Sequence, residues 1–124
     1  MMAPPSVPLG LPREMRLHER SDFVRIKLQG RRLSAGCLIV NWTPLSPGIH
    51  SRLGVVTSRQ LGSAVVRSQA RRMMREAFRL HQHDLQQPVA LVLVGRRSIA
   101  RKPFHEVERD YLRLLRQAGL LKDH

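Results

Sequence analysis

Arg52-Leu-Gly-Val-Val-Thr-Ser-Arg59-Gln-Leu-Gly62-Ser-Ala-Val-Val-Arg67-Ser68-Gln69-Ala-Arg71-Arg72-Met-Met-Arg75-Glu-Ala-Phe-Arg79-Leu80 is the run that decides the fold. Its first part, Leu53 to Thr57, is rich in valine and reads as a strand. A connection containing Gly62 follows, and from Gly62 to Gln82 the apolar residues recur at helical spacing. A strand feeding a helix through a short link is half of a layered α/β unit, and the amides at such a helix start could hold an anion.

At about 100° per residue, Arg67, Arg71, Arg75, Arg79 and Arg72 fall within an arc of roughly 140°. Ala70, Met73, Met74, Ala77, Phe78 and Leu80 are the apolar residues of the same run and are expected to meet the core. Solvated helix faces normally mix acids with bases at four-residue spacing. This arc has only Glu76 near it, and like charges one turn apart repel. The band therefore calls for phosphate.

Outward from this run, Leu38 to Thr43 is a second apolar strand, and Pro44, Pro47 and Gly48 mark a turn between it and Leu53 to Thr57. The two are expected to pair as a hairpin, with a further strand around Arg32 to Ala35. Alternation puts Ile39 and Asn41 on one face and Trp42, a core residue, on the other. A short first helix is expected from Ser21, as N-cap, to Gly30, carrying Phe23, Val24, Ile26 and Leu28. Val89 to Val94 is a strand, Gly95 to Pro103 a basic loop, and Phe104 to Ala118 a helix whose stripe is Phe104, Val107, Tyr111, Leu114, Leu115 and Ala118, stopped by Gly119. The order predicts a two-layer α/β domain with one sheet.

The chain has 124 residues, with 22 Lys and Arg against 9 Asp and Glu, a formal net charge of +13. That imbalance points to a polyanionic partner, and arginine's planar fork suits phosphate; an anionic lipid surface is the lesser alternative. Cys37 is the single cysteine, which fits a buried thiol in a reducing cytoplasm. Residues 1–13 contain Pro4, Pro5, Pro8 and Pro12 without the basic start and apolar run of a secretory signal; they read as a flexible tail ahead of one domain at 14–121. No stretch approaches the roughly 20 apolar residues that span a bilayer.

The run from Arg52 to Arg79 resembles the ribonuclease P protein family, whose pattern is a strand, a Ser-Lys-Lys-like link, Gly-x-Ala-Val, and an Arg-Asn-Arg helix ending in Arg-Glu-Ala-Phe-Arg. Leu17, Ser21-Asp22-Phe23 and Gly30-Arg31-Arg32 upstream and Leu112 to Leu120 downstream extend the likeness over about Arg16 to Leu121. The resemblance implies an α+β sandwich with one mixed sheet of about four strands, three helices and a left-handed βαβ crossover, against the usual hand. It implies a protein subunit that helps a catalytic RNA remove the 5′ leader of precursor tRNA, with magnesium belonging to the ribonucleoprotein and no protein active site. It assigns RNA contact to Arg59, Arg67, Ser68, Gln69, Arg71, Arg72, Arg75 and Arg79, and a leader cleft to Phe23, Lys27, Ile39 and Asn41. Arg67-Ser68-Gln69 departs from Arg-Asn-Arg, Gln60 replaces the link's second lysine, and Lys27 and Asn41 stand where aromatics are common. The partners implied are the catalytic RNA and precursor tRNA, with no membrane and no obligate protein partner.

Two rivals exist. A protein-only nuclease would need carboxylates converging on metal ions, yet in the cluster Glu106, Glu108 and Asp110 the middle residue points away on a helix. His81 and His83 lack an indicated third ligand. A ribosomal or other structural RNA-binding protein would share the electrostatics, and only the order of motifs argues against it.

Overall fold

A computed structural model describes Arg16 and residues 20–122; the expected tail at 1–13 lies outside them. The elements run α1 (Arg20–Gln29), β1 (Arg31–Ala35), β2 (Leu38–Pro44), β3 (Arg52–Val56), α2 (Ala64–His81), β4 (Val89–Gly95) and α3 (Phe104–Gln117), with 3-10 turns at Arg59–Leu61, Gln82–Asp84 and Arg97–Ile99. This is the α+β class anticipated, three helices on a four-stranded mixed sheet. Ser21 lies inside the first turn of α1 rather than capping it, because the helix begins one residue earlier.

The sheet order is β1-β2-β4-β3, antiparallel except for the parallel pair β3 and β4. The expected hairpin between Leu38–Thr43 and Leu53–Thr57 does not form, since β4 lies between them. The reason lies in β4 itself, Val-Ala-Leu-Val-Leu-Val-Gly, apolar at every position and buried at all but Val94. Such a strand must be covered on both faces and both edges. It takes the centre, and residues 45–51 carry the chain past its end.

Alternation then sorts the sheet. Leu38, Val40 and Trp42 of β2, Leu53 of β3 and Val89, Leu91 and Leu93 of β4 join Ala70, Met74, Ala77 and Phe78 of α2 and Val107, Tyr111, Leu114 and Leu115 of α3 in the main core. Ala90 and Val92 face the other way and join Ile26 of α1 in a smaller cluster, with Phe23, Leu45 and Val94 packed on it. Of the apolar positions expected on α1, only Ile26 is fully buried, while Val24 and Leu28 are exposed. One short helix on a sheet face can bury only one narrow stripe. Gly30 lets α1 close on the sheet, since a Cβ there would overlap the carbonyl oxygens of Trp42 and Ile26.

Candidate nucleic-acid interface

Ser63 caps α2, its hydroxyl accepting from the Val66 amide at 3.3 Å. The cap fixes where the helix starts and therefore which residues face out. Ala70, Met74, Ala77 and Phe78 are buried, whereas Ser68, Gln69, Arg72 and Arg75 are exposed and Arg67, Arg71 and Arg79 half-exposed. Leu80, expected on the inner side, is 46% exposed, because at 100° per residue it falls about 20° round the helix from exposed Gln69 and away from Ala70, Met74, Ala77 and Phe78. Arg59 is exposed on the 3-10 turn before α2, held there by buried Leu61.

The guanidinium groups are not equivalent. Arg67 donates to the Gly62 carbonyl at 2.9 Å and Arg71 to the Thr57 hydroxyl at 2.7 Å, contacts that orient both side chains and leave their charge uncancelled. Arg79 is different: it grips Glu76 with two bonds of 2.8 and 2.6 Å. The expectation that the whole band escapes neutralisation is corrected at that residue, because Glu76 lies three positions before it, within reach on the same side. Among the described residues Arg59, Arg72 and Arg75 have no hydrogen-bond or ion-pair partner. Partial desolvation against the surface of α2, and then the positive charges of Arg16 and Arg71, push the Arg75 guanidinium below the usual arginine range although the residue stays largely open to solvent. Crowded cations of this kind gain from an anion.

Arg16 went unassigned in the sequence reading. It forms a parallel bridge with Leu53 at the free edge of β3, bringing its charge toward Arg75. Only the pairing of a distant segment with β3 could have revealed that.

The residues expected in a leader cleft divide. Ile39 and Asn41 lie on the α1 side of β2, where Phe23 is packed against the small cluster. Asn41 is 4% exposed, so it is part of the floor, and Lys27 is exposed on α1.

The acids of α3 are occupied separately. Glu108 meets His81 at 2.8 Å, Glu106 meets Lys102 at 3.2 Å, and Asp110 is buried and accepts from the Cys37 amide at 3.0 Å. No three His, Cys, Asp or Glu side chains among the described residues are grouped to hold a metal ion. No described helix is long and apolar enough to cross a membrane.

The family model for ribonuclease P matches residues 11–119. The chain belongs to the ribonuclease P protein family. It is 38% identical over 112 residues to the ribonuclease P protein component of Chloroflexus aggregans, covering 88% of this chain and 81% of that one. It is 36% identical over 105 residues to the component from Desulfovibrio desulfuricans, covering 84% and 77%. The solved ribonuclease P protein of Thermotoga maritima superposes with a TM-score of 0.73 at 30% identity, covering 82% of this chain and 96% of that one. That of Staphylococcus aureus gives 0.78 at 23% identity, over 87% and 98%, a likeness of fold. As a member of the ribonuclease P protein family, the chain is a subunit of an endoribonuclease of tRNA 5′-end processing, in which the RNA catalyses.

Proposed function

We propose that the chain docks on the catalytic RNA of ribonuclease P through the outer face of α2, and that the side of the sheet covered by α1 receives the 5′ leader of precursor tRNA. The observation that carries the first part is the set Arg59, Arg72 and Arg75, exposed and without an acid partner among the described residues, with Arg67 and Arg71 oriented beside them. Ser68 and Gln69 stand exposed in the same turn as neutral hydrogen-bonding groups. Arg79, held by Glu76, contributes least. The leader reading is supported by Phe23, Ile39 and Asn41 sharing one side of the sheet. Magnesium belongs to the RNA in this reading, and the assembly works in the cytoplasm.

The test is reconstitution with catalytic RNA from the same cell, scored as precursor cleavage at low magnesium with and without protein. Replacing Arg71, Arg72 and Arg75 together by Ala should weaken RNA binding and reduce the slope of log affinity against log salt by nearly three, about 0.9 per lost phosphate contact on a duplex. An unchanged slope in a folded variant places the footprint elsewhere. Recovery of ribosomal RNA alone with the tagged protein would favour a structural RNA-binding role instead.

A further inference from the structure

The two edges of the sheet differ. Arg16 bridges to Leu53 beside β3, whereas β1, among the described residues, pairs with β2 alone. β1 reads Arg31-Arg32-Leu33-Ser34-Ala35 and joins β2 through the two-residue turn Gly36-Cys37, with Gly36 at φ of 54°. A two-residue hairpin closes on a hydrogen-bonded pair, here Ala35 and Leu38, and bonded and open pairs then alternate along the ladder. Leu33 with Val40 and Arg31 with Trp42 are therefore bonded pairs, and the amides and carbonyls of Arg32 and Ser34 point out of the sheet. Donors and acceptors thus stand in line on an open strand edge.

The side chains beside that edge form a groove. Its volume is about 440 Å³ and its walls are Arg31, Arg32, Leu33, Trp42, Gln117 and Ala118, so it runs between β1 and the end of α3. Leu33 and Trp42 give it an apolar floor continuous with the main core. Arg31 and Arg32 are exposed, and neither meets an acid among the described residues.

These groups discriminate between occupants. A phosphate accepts hydrogen bonds but does not donate, so it would answer the two arginines and leave the outward carbonyls and the apolar floor unused. A second copy of the chain would bring its own Arg31 and Arg32 to the same edge, and two chains of formal charge +13 repel. An extended peptide matches donors with acceptors along the edge, lays an apolar side chain beside Leu33, and satisfies the arginines if it carries carboxylates. Charges on an edge strand ordinarily guard it against pairing; charges of one sign turn away cationic strands, this chain's own included, and favour acidic ones.

We propose that the free edge of β1 is a docking site for an acidic, extended segment of a partner protein, which adds a strand to the sheet, places an apolar side chain in the Leu33 and Trp42 groove, and sets carboxylates on Arg31 and Arg32. β1 lies at the opposite edge of the sheet from β3, against which α2 packs, so the site is separate from the arginine band and stands without the RNA-docking reading.

Trp42 is the only tryptophan of the chain and lines the groove, so its emission reports occupancy. The full-length protein is titrated with a short acetylated and amidated peptide alternating Glu with Val, with the same peptide carrying Lys for Glu, with an oligoglutamate of equal length, and with a single-stranded RNA oligonucleotide. The Glu-Val peptide should change the emission saturably and the Lys-Val peptide should not. Arg31→Glu with Arg32→Glu should reverse that preference. Because the Ser34 amide points outward, proline is tolerated there, and Ser34→Pro should weaken the Glu-Val peptide by about tenfold through one lost edge hydrogen bond. Circular dichroism shows whether that variant is folded; if it is not, the charge-reversal pair decides alone. Oligoglutamate as effective as the Glu-Val peptide reduces the site to charge and overturns the added strand. A larger response to RNA that Ser34→Pro leaves intact assigns the groove to nucleic acid and also overturns it. So does a folded wild type whose Trp42 emission ignores the Glu-Val peptide.

Discussion

Asp110 shows what a buried carboxylate can do without chemistry. It sits on α3 beneath the β1–β2 turn, receives the Cys37 amide at 3.0 Å, and fills the space in which a side chain on Gly36 would have to lie. Gly36 has φ of 54°, so both the backbone and the neighbour demand glycine. Gly36→Ala should cost roughly 2 kcal/mol or more, from the left-handed backbone and the displaced acid, read as the midpoint of a urea melt. Asp110→Ala leaves a buried amide unsatisfied and should cost about 1–3 kcal/mol in the same assay. Burial works to raise the Asp110 carboxyl, but the Cys37 amide and thiol, with Arg109 and Arg113, outweigh it and hold the group below the ordinary carboxylate range. A depressed value stabilises above the unfolded-state value and is lost as pH falls through the folded one. Asp110→Asn should therefore flatten the loss of stability on going from neutral pH into the acid range; a melt series with the wild-type acid slope would remove Asp110 from that account.

The α2–α3 junction carries a comparable clasp between elements. His81, at the end of α2, lies 2.8 Å from Glu108 of α3 and 3.2 Å from Asp84 in the following turn, with the Tyr111 ring 6.5 Å away. Burial works to lower its affinity for protons, yet the two carboxylates more than compensate and the imidazole titrates above its ordinary value. The contribution is complete below the unfolded histidine value and disappears as pH rises through the folded one. Glu108→Gln should reduce stability near pH 6 by about 1 kcal/mol or less and leave it little changed at pH 9, which thermal melts at the two pH values would check. Elements of this length were legible in sequence because their periodicities are strong: α2 and α3 lie where the apolar stripes put them, and Trp42 and Asn41 take opposite faces of β2 as alternation requires. Strand partnership was not legible. Proline and glycine at 44–48 look the same whether the chain doubles back or skips a strand, and only the all-apolar β4 competes for the middle of the sheet. In the candidate site, the direction of the arginine band could be read from the wheel, whereas the loss of Arg79 to Glu76 is a matter of rotamer and reach.

At the level of the whole molecule, a formal charge of +13 on 124 residues makes the folded state repel itself. Screening should therefore stabilise it: raising sodium chloride from low to moderate concentration is expected to lift the melting temperature by about 4 °C, equivalent to on the order of 1 kcal/mol. A melting temperature that falls over that range would mean that internal ion pairs outweigh the repulsion. The sheet order carries a last consequence, one for synthesis. The central strand β4 is also the last of the described strands in chain order: β1 and β2 can pair before it is made, but β3 has no strand to join until it arrives. A nascent chain that already carries its arginine helix thus lacks the strand that ties β3 to the rest of the sheet. While the ribosome is still making the chain, the arginine helix therefore exists before the sheet that fixes which way it faces is complete.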